Sequence, residues 1–480
     1  MARSRRAWPM IGTLCLLPPL AGCIVGYEKP DLALEVPDKY RFASRNADAA
    51  LPALDWWRGF RSRELVALIE TAQAQNLDIA AAVARIRQAD AQSRIAGAAL
   101  LPTVDANFTA TRSRASQRTS SAGNVRTGSP EANLLNANLS ASYEVDFWGK
   151  NRAAQLSSEE NAVAARYARE VVALTTMATV ANTYFQVLNS QERLRIAREN
   201  VAAANRVLGV IRERFQVGTA SRLDIVQQES LLAIQRAAIP PLQITLDQSI
   251  AQLAVLIGRA PESVSVRGGG TTGIRVPVIT PGLPSDILRQ RPDIRQAEAQ
   301  LASSNYSVES ARAAFYPNIA LTGQRGFQSA VLASLFGPGA WYYTMAATLT
   351  QPVFDGFLRQ GQLELAQGQQ QEFLMDYRKA VLSAFSDVEQ ALIAVQQQAT
   401  RERLQADAVR AAREAFELSE RRLREGTVDL ITVITTQQTL FQAQDTLAQI
   451  RFARLQAVVS LFQALGGGWP PADINLPVSQ

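Results

Sequence analysis

The chain has 480 residues, with 49 Lys and Arg against 43 Asp and Glu, two cysteines and no histidine. The missing histidine removes His-assisted nucleophiles, HExxH zinc sites and most general-base arrangements. No other nucleophile, metal-ligating or phosphate-cradling pattern replaces them, so the sequence predicts neither an enzyme nor a cofactor or metal site. A formal charge of +6, without a basic run interleaved by aromatics, leaves no footprint for nucleic acid.

Arg3, Arg5 and Arg6, the mostly apolar run from Ala7 to Leu20, and Leu20-Ala21-Gly22-Cys23 read as a cleaved secretory signal over residues 1–22. The alternative, an uncleaved signal anchor, needs a span of ~20 apolar residues, whereas this run is shorter and is broken by Pro18 and Pro19. The segment resembles a bacterial lipoprotein signal, which implies diacylglycerol attachment at Cys23. Ile24 after that cysteine is compatible with sorting to the outer membrane. Removal of the signal also removes Cys15 and half of the formal charge, which excludes a disulfide within the mature chain.

Residues 23–75 form a leader rich in Pro, Asp and Ala, followed from Asp55-Trp56-Trp57 by a first helical region. A helix is predicted from Asn76 to about Ala99, ended by Pro102. It has a counterpart that starts at Arg291-Pro292-Asp293-Ile294 and ends by Pro317. Asp78 to Pro102 aligns without gaps on Asp293 to Pro317 at an offset of about 215 residues, the signature of an internal duplication. The predicted repeats are 76–283 and 284–469, followed by a tail at 470–480. Asp293, with Pro292 in the first turn, is read as a helix start.

After Pro102 the period becomes two. Strands are predicted at about 103–111 and 136–147, with one polar and one apolar face, as expected between water and lipid. The loop Arg112 to Glu131 joins them, and its shorter counterpart is placed at Gly326 to Gly339. In the second repeat the strands are expected at about 318–324 and 341–351. A transmembrane helix over Gly326 to Phe354 is the rival reading, but Gly337-Pro338-Gly339 divides it into pieces below the ~20 residues required.

Each second strand feeds a helix predicted over 150–217 or 358–425, roughly 100 Å long at 1.5 Å per residue. In the first, Val163, Tyr167, Val171, Leu174, Ala178, Ala181, Phe185 and Leu188 form a coiled-coil seam. It resumes on a new phase at Leu194, Ala197, Val201, Ala204, Leu208, Ile211 and Phe215. The second seam is Leu374, Tyr377, Val381, Ala384, Val388, Ala391 and Val395. Returning helices follow at 221–258, where Pro240-Pro241 demands a kink or pause, and at 428–465. The turns Arg214 to Thr219 and Arg422 to Thr427 match, and each taken alone is an ordinary helical hairpin.

The pattern therefore predicts a mainly α chain with a small β part, elongated rather than compact. Four strands cannot close a membrane barrel alone, so the chain must oligomerise. Three copies would supply twelve strands, although this count does not follow from the strands alone. Phe147, Trp148, Phe315, Tyr316, Trp341, Tyr342 and Tyr343 are placed either as interfacial girdles or as packing at the barrel junction.

Leu283 to Ile294 (LPSDILRQRPDI), Asp146-Phe147-Trp148-Gly149-Lys150, Val353-Phe354-Asp355-Gly356 and Leu465-Gly466-Gly467-Gly468-Trp469 resemble the outer-membrane lipoprotein factors of resistance-nodulation-division efflux systems, the NodT branch of the TolC-like family. The resemblance covers the whole mature chain. It implies a homotrimeric β-barrel continued by a periplasmic α-barrel with an equatorial belt, whose level the seam slip near Leu188 to Leu194 fits. It also implies a location in the outer membrane, in contact with its lipid and reaching into the periplasm. The implied partners are a periplasmic adaptor (membrane fusion) protein and an inner-membrane resistance-nodulation-division pump that selects drugs, metals or other small molecules.

By the same resemblance the hairpin tips Gly218, Thr219, Ser221, Gly426 and Thr427 contact the adaptor and narrow into a gate. Asp224 and Asp429 are candidate acidic rings, in which threefold crowding would raise the carboxyl pKa values and draw cations. They are equally placed to be first-turn caps favoured by the helix dipole. Family members often carry an aspartate where this chain has Gln227 and Thr435. Two rivals share part of the pattern: a TolC-like exit duct for type I protein secretion, and a lipid-anchored coiled-coil scaffold without a pore.

Overall fold

The computed structural model describes residues 40–41, 55–114, 131–277 and 284–467. The signal segment, Cys23, most of the leader, residues 115–130 of the first hairpin loop, Leu283 and Gly468-Trp469 lie outside the described residues. In chain order the elements are α1 (Arg63–Gln75), α2 (Leu77–Gly97), β1 (Thr103–Arg114), β2 (Glu131–Val145), α3 (Lys150–Gln216), α4 (Arg222–Ala237) and α5 (Ile239–Leu256). They continue with α6 (Pro284–Gln290), α7 (Pro292–Ala313), β3 (Asn318–Ser329), β4 (Trp341–Thr350), α8 (Leu358–Arg424) and α9 (Leu430–Ala464). Two compact units emerge. One holds the described parts of Gly97–Ala154 and Tyr306–Glu364; the other holds the described parts of Asp31–Ala96, Gln155–Asn305 and Leu365–Gln480.

The first unit is built on a four-stranded antiparallel sheet of order β1-β2-β3-β4. Strand pairing of β2 with β3 joins the two repeats. Because side chains alternate, Val104, Phe108, Leu139, Phe327, Trp341, Tyr343 and Met345 share one face, and all are exposed in the single chain. The opposite face carries amides and hydroxyls. Asn107 Nδ2 donates to Ser140 Oγ at 3.0 Å, Asn138 Nδ2 to the Tyr342 hydroxyl at 3.1 Å, and that hydroxyl to Asn136 Oδ1 at 2.9 Å.

Three strand expectations need correction. The first hairpin is longer than expected: β1 runs to Arg114 and β2 starts at Glu131, so Arg112 to Arg114 and residues 131–135 are strand and not loop. β3 runs to Ser329, so the segment from Gly326 to Ser329 is strand and not loop. Gly326 sits between Asn138 and Tyr342 in the ladder, and a Cβ there would fall 2.3 Å from the Ala137 carbonyl oxygen. The glycine thus marks a close backbone approach that Tyr342 reaches across, where a glycine met in sequence reads as a turn. For the same reason Tyr342 lies on the polar face, apart from the girdle aromatics Trp341 and Tyr343, which stack at 5.8 Å on the other face.

At the exit of β2, Asp146 caps α3 by accepting from Asn151 N at 2.9 Å and Arg152 N at 2.7 Å. Gly149 takes φ 76°, and Trp148 stacks on Tyr316 at 4.6 Å while its indole N–H donates to the Pro317 carbonyl at 2.8 Å. These aromatics are packed at the junction.

Helices α3 and α8 are each 67 residues long, and most of each belongs to the second unit. The most apolar 18-residue stretch of α3 is 67% buried against its own chain, as a core helix would be. Helix α4 stops at Ala237 and α5 restarts at Ile239, since Pro240 and Pro241 lack N–H donors and crowd the preceding carbonyls, so they belong in a first turn. The change of surroundings falls beyond the seam slip, after Leu194. Met177 to Leu188 and Leu194 pack with Trp56, Phe60, Leu65, Ile69, Leu253 and Phe462, whereas Ala203 to Ile211 pack with Ile225, Phe416, Leu430 and Phe441. A third core joins Ile287, Ile294 and Leu301 to Tyr377, Val381, Ala384 and Val388. The predicted seam overreaches at its end: Phe215 is 44% exposed, because it lies in the last turn beyond its packing partners.

Candidate functional site: two helical tips and a buried belt

Both long helices end in the same turn. At the first tip Gly218 N bonds the Phe215 carbonyl at 3.1 Å and Thr219 N bonds the Arg214 carbonyl at 2.8 Å; at the second, Gly426 N bonds Leu423 O at 3.1 Å and Thr427 N bonds Arg422 O at 2.9 Å. Gly218 and Gly426 share φ 77°, a left-handed conformation that closes the last carbonyls of the helix and that a side chain would strain. The hydroxyls of Thr219 and Thr427 donate to the same Arg214 and Arg422 carbonyls.

The returning helices are capped differently. Ser221 caps α4 through a reciprocal box: Asp224 N donates to Ser221 Oγ at 3.2 Å and Ser221 N to Asp224 Oδ2 at 2.7 Å. Asp429 is itself the N-cap of α9 and accepts from Thr432 N at 2.9 Å and from the Thr432 hydroxyl at 2.5 Å. The hydroxyl bond first, and the backbone bond second, hold the Asp429 carboxyl below the usual aspartate range. Within one chain each carboxylate is thus engaged by its own first turn. Gln227 is half-buried, and the Thr435 hydroxyl donates back to the Ile431 carbonyl.

Two features of the tips carry no local sequence signal. Arg214 Nη1 crosses from the first tip to the Leu423 carbonyl at the end of α8, at 2.7 Å, and Nη2 reaches Thr219 O at 3.3 Å. Deeper in, Gln228 and Gln437, both fully buried, meet at 3.3 Å, and Gln228 Nε2 also donates to Ala204 O at 3.0 Å. Around the turns Phe215, Val217, Leu223, Val226 and Ile431 are exposed apolar side chains in a single chain.

The core around Tyr184 to Leu194, called the belt below, is polar as well as apolar. Glu192, 3% exposed, accepts from Thr271 N at 2.9 Å, from the Thr271 hydroxyl at 2.5 Å and from Arg451 at 3.3 Å. Arg193 grips Asp445 with two bonds of 2.6 and 3.0 Å. Ser62 pairs with the Tyr184 hydroxyl at 3.0 Å; burial, and secondarily the Glu64 carboxylate, push that phenol up to about 12, although the Ser62 bond pulls the other way. No cluster of metal-ligating side chains is present among the described residues.

A sheet with one apolar and one hydroxyl- and amide-rich face, together with paired long helices ending in matched hairpins, defines the class of channel-forming outer-membrane proteins with a helical extension. The sequence pattern of the outer membrane efflux protein family matches residues 68–259 and 283–467, and the chain belongs to that family. It is 40% identical over 465 residues to the pyoverdine export outer membrane protein OpmQ of Pseudomonas putida, covering 95% of this chain and 97% of that one. It is 30% identical over 459 residues to the probable efflux pump outer membrane protein TtgC of the same species, covering 94% and 93%. Among solved structures, the outer-membrane channel OprN superposes with a TM-score of 0.86 at 25% identity, covering 92% of this chain and 98% of that one. The chain is an outer-membrane exit duct of the efflux type, in a family of channels that work within efflux pumps.

Proposed function

We propose that three copies of the chain assemble into a twelve-strand barrel continued by a helical one, which receives cargo from a periplasmic adaptor and an inner-membrane resistance-nodulation-division pump. The observation that carries the reading is the open sheet: β1 and β4 each pair on one side only, and their free edges need partners in lipid. Three copies give roughly the strand number of a small membrane barrel. The segments 76–283 and 284–469 are the two repeats of the chain. Cys23 carries the lipid. The turns at Gly218, Thr219, Ser221, Gly426 and Thr427, with the exposed apolar residues beside them, meet the adaptor, and Asp224 and Asp429 border the closing pore.

The cargo class follows from the relatives, one of which is named for pyoverdine export and another for an efflux pump. A small polar compound, a secreted iron chelator or a drug, suits a lumen of Asn, Ser and Thr such as the polar face of this sheet supplies. Deleting the gene tests this when antibiotic susceptibility, chelator export and the secreted proteome are measured together. Greater susceptibility or retained chelator with an unchanged proteome is expected. Loss of one secreted protein, with small-molecule export intact, would make the chain a type I secretion duct instead.

A further inference from the structure

Away from the hairpin ends, the apolar face of the sheet contains one charged side chain among the described residues. Arg325 pairs with Leu139 on one side and Tyr343 on the other, so it shares their face, with Phe327, Trp341 and Met345 around it. It is exposed, and its guanidinium makes no ion pair or hydrogen bond to any described residue. Its counterparts on this face at the hairpin ends differ: Arg112 is held by Glu131 at 2.6 Å, and Arg114 approaches the same carboxylate at 3.9 Å. Arg325 is thus the arginine of this face with no carboxylate near it among the described residues.

Its position limits what can compensate it. In the barrel reading, on which this inference rests, neighbouring copies join at β1 and β4. Arg325 lies on β3, flanked on both sides by strands of its own chain, so a second copy does not cover it. It lies seven positions beyond Asn318 at the helix-joined end, which for a tilted strand puts it roughly 18 Å up a hydrophobic band about 25 Å tall. An arginine side chain reaches most of the remaining distance, and its charge, costly at the midplane, becomes nearly neutral where it meets headgroups. Trp341 and Tyr343, stacked beside it at 5.8 Å, mark the same interface.

Further out on that face is a cavity of about 370 Å³ bordered by Ala110, Leu135, Val331 and Leu332, with Arg112 and Asn133 at its rim. An apolar wall with amide and guanidinium donors suits the sugar or glycerol portion of an amphiphile whose acyl chains lie along the strands below. Phosphate fits a planar guanidinium in two parallel bonds.

We propose that Arg325 and this cavity bind the phosphorylated headgroup of an outer-leaflet lipid, with Arg325 as the phosphate ligand. The test uses full-length trimer, purified in mild detergent, delipidated and offered lipopolysaccharide, the same lipid after phosphatase treatment, or inorganic phosphate alone, with bound lipid counted by native mass spectrometry. Arg325→Gln is expected to lower occupancy by the phosphorylated lipid by roughly tenfold or more, and Arg325→Lys, which keeps the charge but loses the two parallel bonds, to fall between that variant and the wild type. Phosphatase treatment should match the Gln variant, and millimolar phosphate should not displace the lipid. Equal occupancy in Arg325→Gln, equal binding of the dephosphorylated lipid, or full displacement by free phosphate would overturn the assignment. Loss of binding in Arg325→Gln and Arg325→Lys alike, with both still trimeric by heat-modifiable gel mobility, would also overturn it. A wild-type protein that neither trimerises nor conducts in bilayers would instead break the barrel reading.

Discussion

The belt around Tyr184 to Leu194 and the two tips are made by the same long helices, yet they are held in opposite ways. In the belt the polar contacts span the chain: Glu192 to Thr271 and Arg451, Arg193 to Asp445, Ser62 to Tyr184. At the tips nearly every bond is local, made within five residues by Gly218, Thr219, Ser221 and their counterparts, and Arg214 to Leu423 is the exception at the turn itself. Local bonds survive when a hairpin moves as a body, whereas long-range ones must break. Displacing a tip would therefore break few long-range polar bonds, whereas displacing the belt would break many.

The largest effect is expected where the belt is broken. Glu192→Ala leaves the buried Thr271 hydroxyl and backbone N–H without their acceptor, while Arg451 keeps Glu402 at 3.3 Å. Loss of a buried charged acceptor costs about 3 kcal/mol, which should lower the melting midpoint of the assembled protein by several degrees without changing the local capping of the tips. Circular dichroism melts check it. An unchanged midpoint would mean that the belt is no firmer than the tips.

Arg214→Ala should act on conductance more than on melting. It removes the bond to Leu423 O, worth about 1 kcal/mol for a half-buried charged donor, which would raise a small open population roughly fivefold. Arg422 occupies the matching place in the second turn, is exposed, and its guanidinium has no bonding partner among the described residues, so Arg422→Ala is the control. Single-channel recordings at rest separate the two. An equal rise in both would show that tip charge, and not the Leu423 bond, sets the closed state.

The contrast also explains what could be read in advance. Helix lengths, the break at Pro240, the turns at Gly218 and Gly426 and the seam slip near Leu188 depend on periodicity and on residues close in sequence, and all were legible. Gly326 misled because a glycine that lets Tyr342 cross a strand looks, without its partners, like one that ends it. Arg214 and Leu423 stand 209 residues apart, and Glu192 and Thr271 stand 79 apart. No spacing rule links such pairs, since the fold brings them together.

The smallest effect separates the two aspartates. Asp429 is the cap of α9, so Asp429→Ala should free Thr432 N and speed hydrogen exchange in the first turn, whereas Asp224→Ala leaves Ser221 Oγ still accepting from residue 224 N and should speed exchange less. Because the Asp429 pKa is lowered in the fold, its contribution is complete at neutral pH and is lost only as pH falls through the carboxylate range, below about 4. Asp429→Asn keeps a side-chain oxygen to cap the helix but removes the charge. If Asp429 serves the closing pore through its charge, Asp429→Asn should change resting conductance or cation preference as much as Asp429→Ala while exchange at Thr432 stays slow. A current altered by Ala alone would make it a cap, and the charge at that tip would then have no part in closing it.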